Sequence, residues 1–149
     1  MNHPPREGSL HEQSWGMVLK RAEQTLLRAK SGAVKPVGLT LPQYVALSEL
    51  EARPGITSAA LARGCLVTPQ AMMVALKGMY EQDLVSRSPH PRHGNVLELR
   101  LTDVGREALS AARAAVEPVE RRVQDALSAA ELNALRGLLL RVIDAIEPD

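Results

Sequence analysis

The chain is predicted to be mainly α-helical with one two-stranded β hairpin. Three observations predict this. Apolar residues recur at steps of three and four along most of the chain, as on one face of a helix. Hydroxyl residues stand just before several of these runs, where they cap free backbone N–H groups. One stretch, Val96-Leu97-Glu98-Leu99-Arg100-Leu101, alternates apolar and charged residues instead, the period of a half-buried strand.

Residues 1–9 are polar, carry Pro4-Pro5 and read as a mobile tail. A helix is expected from about Leu10 to Lys30. Trp15, Leu19, Ala22, Leu26 and Ala29 form its apolar stripe, with Lys20, Arg21, Arg28 and Lys30 off it. Ser31 to Gly38 holds Gly32, Pro36 and Gly38 and reads as a loop. Thr40-Leu41-Pro42-Gln43 opens a second helix, with Gln43 placed for a capping box. Tyr44, Leu47 and Leu50 share one face of it, and Arg53-Pro54-Gly55 stops it.

Thr57 caps a short small-residue helix that Gly64-Cys65 ends, Gly64 by taking the left-handed conformation. Thr68-Pro69-Gln70 opens the next helix, where Pro69 lacks only an N–H that would be orphaned anyway. Its buried stripe is Met72, Ala75, Leu76 and Met79, leaving Gln70, Met73, Val74 and Lys77 on the other side. Leu84 to Ser88 and Val96 to Leu101 read as strands joined by a polar loop, His90 to Asn95. Thr102-Asp103 caps a helix with the stripe Val104, Ala108, Ala112, Ala115, Val119 and Val123, which Pro118 should kink. Ser128-Ala129-Ala130-Glu131 is a capping box for the last helix. Leu132, Leu135, Leu139, Val142 and Ile146 form its stripe, widened by Leu138, Leu140 and Ile143. A helix so broadly apolar needs more than one partner, so it is expected to join a second copy of the chain.

Two helices joined by a short turn and followed by a loop-bearing hairpin make a winged helix-turn-helix, which points to DNA. The N-terminal part of the second helix would meet base edges: Thr68 and Pro69 at its start, Gln70 against adenine, Met73 or Val74 against thymine methyls. The alternative reading places Met73 and Val74 in the core. Lys77 reads as a backbone contact or a solvated charge. Arg87, His90, Arg92 and His93 are the candidate contacts from the hairpin. The two histidines gain charge in mild acid, so binding should tighten there.

Leu61-Ala62, Val67-Thr68-Pro69-Gln70-Ala71, Asp83-Leu84-Val85-Ser86-Arg87 and, above all, Leu99-Arg100-Leu101-Thr102-Asp103-Val104-Gly105 resemble the MarR family of bacterial transcription regulators. The resemblance covers about Leu39 to Leu109, and its ending Leu-Thr-x-x-Gly is its most specific part. It implies a homodimer on a pseudo-palindromic operator, repression by promoter occlusion, and release by a small, partly apolar ligand. It implies a division into a tail (1–9), an N-terminal dimerisation helix and loop (10–38), a winged helix-turn-helix lobe (39–101) and C-terminal dimerisation helices (102–149). Effectors of the family bind between the dimerisation helices and the DNA-binding lobe, which makes Trp15, Leu19, Tyr44 and Leu47 candidates for a small aromatic or amphipathic ligand. The alternative is that the two aromatics only fill the core. The chain departs from the family at the wing tip, often Asp-x-Arg, where His93-Gly94-Asn95 stands and Arg92 would take over the contact. It departs again where the recognition helix often carries arginines and Val74 and Gly78 stand here.

The 149 residues suit one domain with a real core, built from Leu, Val, Ala and Met because Trp15, Tyr44 and Tyr80 are its only aromatics. A net charge of +1 and a pI near 8.0 are weak for a DNA binder. That weakness supports a rival reading, a winged-helix module that binds protein and not DNA. The charge is uneven: six Lys/Arg face three acids before Thr40, and six Arg face nine acids after Leu101. No phosphate-cradling glycine loop, nucleophile–base pairing or metal-ligand cluster is present, so neither an enzyme nor a metal or cofactor site is expected. Cys65, the lone cysteine, reads as a structural thiol. Oxidant-sensing members of the family carry their cysteine near the N-terminus, where this chain has none. No apolar run is long enough for a membrane span and no signal segment is evident, so a cytoplasmic protein is expected.

Overall fold

A computed structural model of the chain describes residues 14–147. The expected tail, the first residues of the first helix, His3 and His11 lie outside the described residues. The elements run α1 (Trp15–Val34), a short 3-10 helix (Lys35–Val37), α2 (Leu41–Ala52), α3 (Ser58–Gly64), α4 (Pro69–Glu81), β1 (Val85–His90), β2 (His93–Leu101), α5 (Asp103–Ala126) and α6 (Ala129–Ile146). Each α-helix begins on a Ser or Thr whose hydroxyl accepts the N–H three residues on, at 2.9–3.3 Å. Both expected capping boxes close, Thr40 with Gln43 and Ser128 with Glu131.

The core sits inside the helix-turn-helix and its hairpin. Leu47 and Leu50 of α2, Leu61 of α3, and Met72 and Met79 of α4 are fully buried against Leu84, Val85 and Leu99. Each such side chain stabilises the fold by roughly 1.5–3 kcal/mol. From α1 and α5, Val34, Leu109, Ala112 and Val116 join the same cluster. The first half of α5 is therefore packed into the core of the helix-turn-helix. Its second half lies along α1, where Val119 and Val123 face Val18, Ala22 and Leu26 across a groove of about 570 Å³. A Lys30–Glu120 ion pair ties α5 to α1, and Arg113–Glu51 ties it to α2.

The Leu-Thr-x-x-Gly motif is the joint between hairpin and α5. Thr102 N–H donates to the Leu84 carbonyl at 3.2 Å and its hydroxyl donates to the Asp83 carbonyl at 2.6 Å. Gly105 then lies so close that a Cβ there would overlap the Leu84 carbonyl oxygen.

Several elements differ from the sequence reading. α1 continues past Lys30 to Val34, because fully buried Val34 rewards four more helical residues; Pro36 then tightens the chain into the 3-10 helix. Gly64 is not the left-handed residue of the turn. That role falls to Leu66, with φ 55°, while Gly64 stays helical and makes room for the Glu49–Arg53 pair resting on it. The hairpin loop is shorter than expected. Pro91-Arg92 alone turns the chain, His90 pairs with His93, and the register slips between Pro89 and His90 so that Gly94 to Val96 bulge. Glu98, expected on the solvent face, is buried, since the Gly55-Ile56 backbone pairs with Leu99 and covers it. On α5 the buried stripe is Gly105, Leu109, Ala112, Val116 and Val119, whereas Val104 and Val123 are exposed. The alanine-rich sequence offers two neighbouring stripes, and the close approach of Gly105 to Leu84 selects this one. Pro118 lies inside α5 without interrupting it.

None of the described residues of α6 is buried. Leu135, Leu138, Leu140, Ile143 and Ile146 are all exposed. At the other end of the chain, Trp15 is 69% exposed.

Candidate nucleic-acid interface

The Thr68 hydroxyl holds the first turn of α4 by accepting the Ala71 N–H at 3.1 Å. Met72, Ala75, Leu76 and Met79 anchor the inner face, which turns Thr68, Pro69, Gln70, Met73, Val74 and Lys77 outward, all exposed. Met73 is 62% and Val74 75% exposed, so the reading that puts them in the core does not hold. Gly78, where the family often has an arginine, packs over α2: a Cβ there would come within 2.7 Å of Gln43 Nε2. No side chain fits that position without moving Gln43, which is itself buried and holds the cap of α2.

On the hairpin, the Arg87 guanidinium lies 5.5 Å from the Tyr80 ring centre, a cation–π contact with α4. At the tip, His90 Nδ1 accepts the Arg92 N–H at 3.0 Å and fixes the two-residue turn. His90 Nε2 faces Glu98 at 3.5 Å, and Glu98 also accepts from Arg100 at 2.8 Å. His93 is exposed and stacks on His90, ring centres 5.2 Å apart. Arg92 stands at the apex, exposed.

Ion pairing divides the cations around α4 and the hairpin into two groups. Arg53 and Arg100 are neutralised by Glu49 and Glu98. Among the described residues, Lys77, Arg87 and Arg92 have no carboxylate partner within ion-pair distance, and neither does Arg63 in the last turn of α3. Arg63 was missed by the sequence reading. Its exposed place one turn before α4 was visible in the sequence, but not its freedom from a partner.

The four ligand candidates do not meet within one chain. Leu47 is fully buried in the core and Tyr44 half-buried beside it. Leu19 lines a groove with Leu139, Val142 and Ile143 of α6, while Trp15 lies exposed in the first turn of α1. Between α1, α2 and the α3–α4 turn there is a cavity of about 350 Å³, walled by Leu27, Leu41, Val45, Leu66 and Met72 with Glu23 and Cys65 among its lining. Burial pushes the Cys65 thiol up, and nearby Glu49 adds to this while Arg53 opposes it. Among the described residues no group of three His, Cys, Asp or Glu side chains could hold a metal ion, and no single helix is long and apolar enough to cross a membrane.

A profile described as the MarR family matches residues 37–94. The HTH-type transcriptional repressor Rv2887 of Mycobacterium tuberculosis is 36% identical over 124 residues, which cover 83% of this chain and 89% of that protein. Among solved structures, the transcriptional repressor CouR bound to a 23-mer DNA duplex superposes with a TM-score of 0.82 at 28% identity, over 94% of this chain and 99% of that one. The Mycobacterium tuberculosis MarR family protein Rv2887 in complex with p-aminosalicylic acid has a TM-score of 0.69 at 34% identity, over 87% of this chain and 98% of that one. With the helix-turn-helix, the hairpin and the Leu-Thr-x-x-Gly joint all in place, the chain belongs to the MarR family of transcription regulators.

Proposed function

We propose that this protein is a cytoplasmic, homodimeric transcriptional repressor that occludes a promoter by binding a pseudo-palindromic operator and leaves it when a small aromatic ligand binds. The outward face of α4, framed by Arg63, Lys77, Arg87 and Arg92, none of them in an ion pair among the described residues, is the observation that carries the DNA-binding part. Basic side chains free of carboxylates can release counterions from phosphates, and paired ones cannot do so at full strength. The rival protein-binding reading drew on weak net charge, and these four free cations remove most of its support. Thr68, Pro69, Gln70, Met73, Val74 and Lys77 enter the major groove, and Arg92 with His93 follows the neighbouring backbone or minor groove. Residues 39–101 form the DNA-binding lobe. The α1 segment of residues 10–38 and the helices of residues 102–149 form the dimer lobe, where the bare faces of α6 and the Trp15 end of α1 meet a second copy.

CouR was solved on a DNA duplex and Rv2887 with p-aminosalicylic acid, and both support this reading. The ligand is placed in the cavity between α1, α2 and the α3–α4 turn, because that cavity touches both lobes and has apolar walls. A ligand there represses binding only if it prefers a conformation with the wrong spacing of the two α4 helices. The test is a titration of the full-length protein on its own upstream DNA at several salt concentrations. Sequence-selective binding that weakens steeply with salt is expected. Equal affinity for scrambled DNA would leave only nonspecific binding, and no binding would return the rival reading.

A further inference from the structure

The outward face of α4 carries an unusual set of groups for reading DNA. Its thirteen residues include no arginine, so the arginine fork to guanine O6 and N7 is not available from this helix, and its one cation, Lys77, stands in the third turn, beyond Met73 and Val74. Gln70 is the one amide in its first two turns, and its geometry matches adenine N6 and N7. Beyond it stand a thioether and an isopropyl group, Met73 and Val74, both largely exposed to water in the single chain. Two residues before the capping Thr68 lies Leu66, 93% exposed and in the left-handed conformation. Large apolar side chains are costly to leave in water and gain most against another apolar surface. In the major groove the one apolar group on a base edge is the C5-methyl of thymine. Lys77 and Arg87 line one groove with Met73, and cations so placed suit phosphates beside the bases that the helix reads.

We infer that the operator half-site is read through thymine methyl groups by Met73 and Val74, and through one adenine by Gln70, with guanine playing no direct part. The inference rests on the DNA-binding reading above and specifies its target: A·T-rich half-sites about one helical turn apart. Each contacted methyl should matter by about fourfold in affinity, the ratio for taking one methylene-sized group out of water.

The test starts with selection of duplexes from a random library by the full-length protein at fixed salt. The best duplex is then remade with deoxyuridine, which lacks only the methyl, at each thymine in turn, and separately with 7-deazaguanine at each guanine. Deoxyuridine at the contacted positions should weaken binding about fourfold each, and 7-deazaguanine should change it by less than about twofold. Val74→Ala, on a surface position that leaves the core untouched, should lose the difference between thymine and deoxyuridine at one position of each half-site. Tight selective binding that ignores deoxyuridine but falls with 7-deazaguanine would overturn the methyl readout and leave the DNA-binding reading standing. A library from which no sequence is enriched would overturn both.

Discussion

Gly105 has no room for even one methyl group. A Cβ there overlaps the Leu84 carbonyl oxygen, which already accepts the Thr102 N–H. Because backbone stands on both sides, neither can yield cheaply. Gly105→Ala should cost about 3 kcal/mol, the upper range for overpacking, and lower the melting temperature by about 6–12 °C in a thermal scan. A shift under about 2 °C would show that the joint is looser than its geometry. The wing histidines divide differently. Both nitrogens of His90 are engaged, Nδ1 by the Arg92 N–H and Nε2 facing Glu98, whereas His93 is exposed and stacks on the His90 ring. Cys65 is pushed toward the protonated thiol by its own burial and then by Glu49, so at neutral pH it should alkylate with iodoacetamide more slowly than free cysteine. Equal or faster labelling would contradict the buried setting.

At the scale of elements, α6 is the helix whose state depends most on something outside the chain. Its capping box closes its start, yet no described residue of it is buried. Ile143→Glu on its apolar face should shift light scattering from twice 16.1 kDa toward 16.1 kDa at micromolar concentration. A variant that stays dimeric would place the interface elsewhere. The hairpin has its own test. Arg92→Ala should weaken operator binding and lower the slope of log affinity against log salt by about one. An unchanged slope would show that the tip does not reach DNA. Most element starts were legible because hydroxyl caps announce them, and every cap from Thr40 onward formed as the sequence indicates. The ends were harder. Nothing in Ser31-Gly32-Ala33-Val34 says that Val34 will be buried, since that depends on Leu39 and α2 lying beneath it. The hairpin tip misled for a similar reason. His-Pro-Arg-His-Gly-Asn looks like a polar loop, and only the side-chain hydrogen bond from His90 reveals a two-residue turn.

For the whole molecule, the outward face of α4 was legible because helical period alone separates Met72, Leu76 and Met79 from Gln70, Met73 and Val74. The lining of the cavity between α1 and α2 was not. Trp15 and Tyr44 are rare aromatics in this sequence, but rarity carries no information about surroundings, and the fold leaves Trp15 exposed while it packs Tyr44 against the core. The cavity that spans both lobes is lined instead by common leucines and valines that nothing singles out in advance. The unpaired cations were hidden too, since net charge counts residues and cannot show which are neutralised. A last consequence belongs to α5. It is pinned to the hairpin by Gly105 and Thr102, to α2 by Arg113–Glu51 and to α1 by Lys30–Glu120. Its 24 residues make a rod about 36 Å long at 1.5 Å per residue. Such a rod is a lever arm: a swing of about 5° at the α1 end displaces the wing end by about 3 Å, close to the 3.4 Å step from one base to the next. With the hairpin and helix-turn-helix carried along as one packed body, such a tilt is enough to put α4 one base out of step.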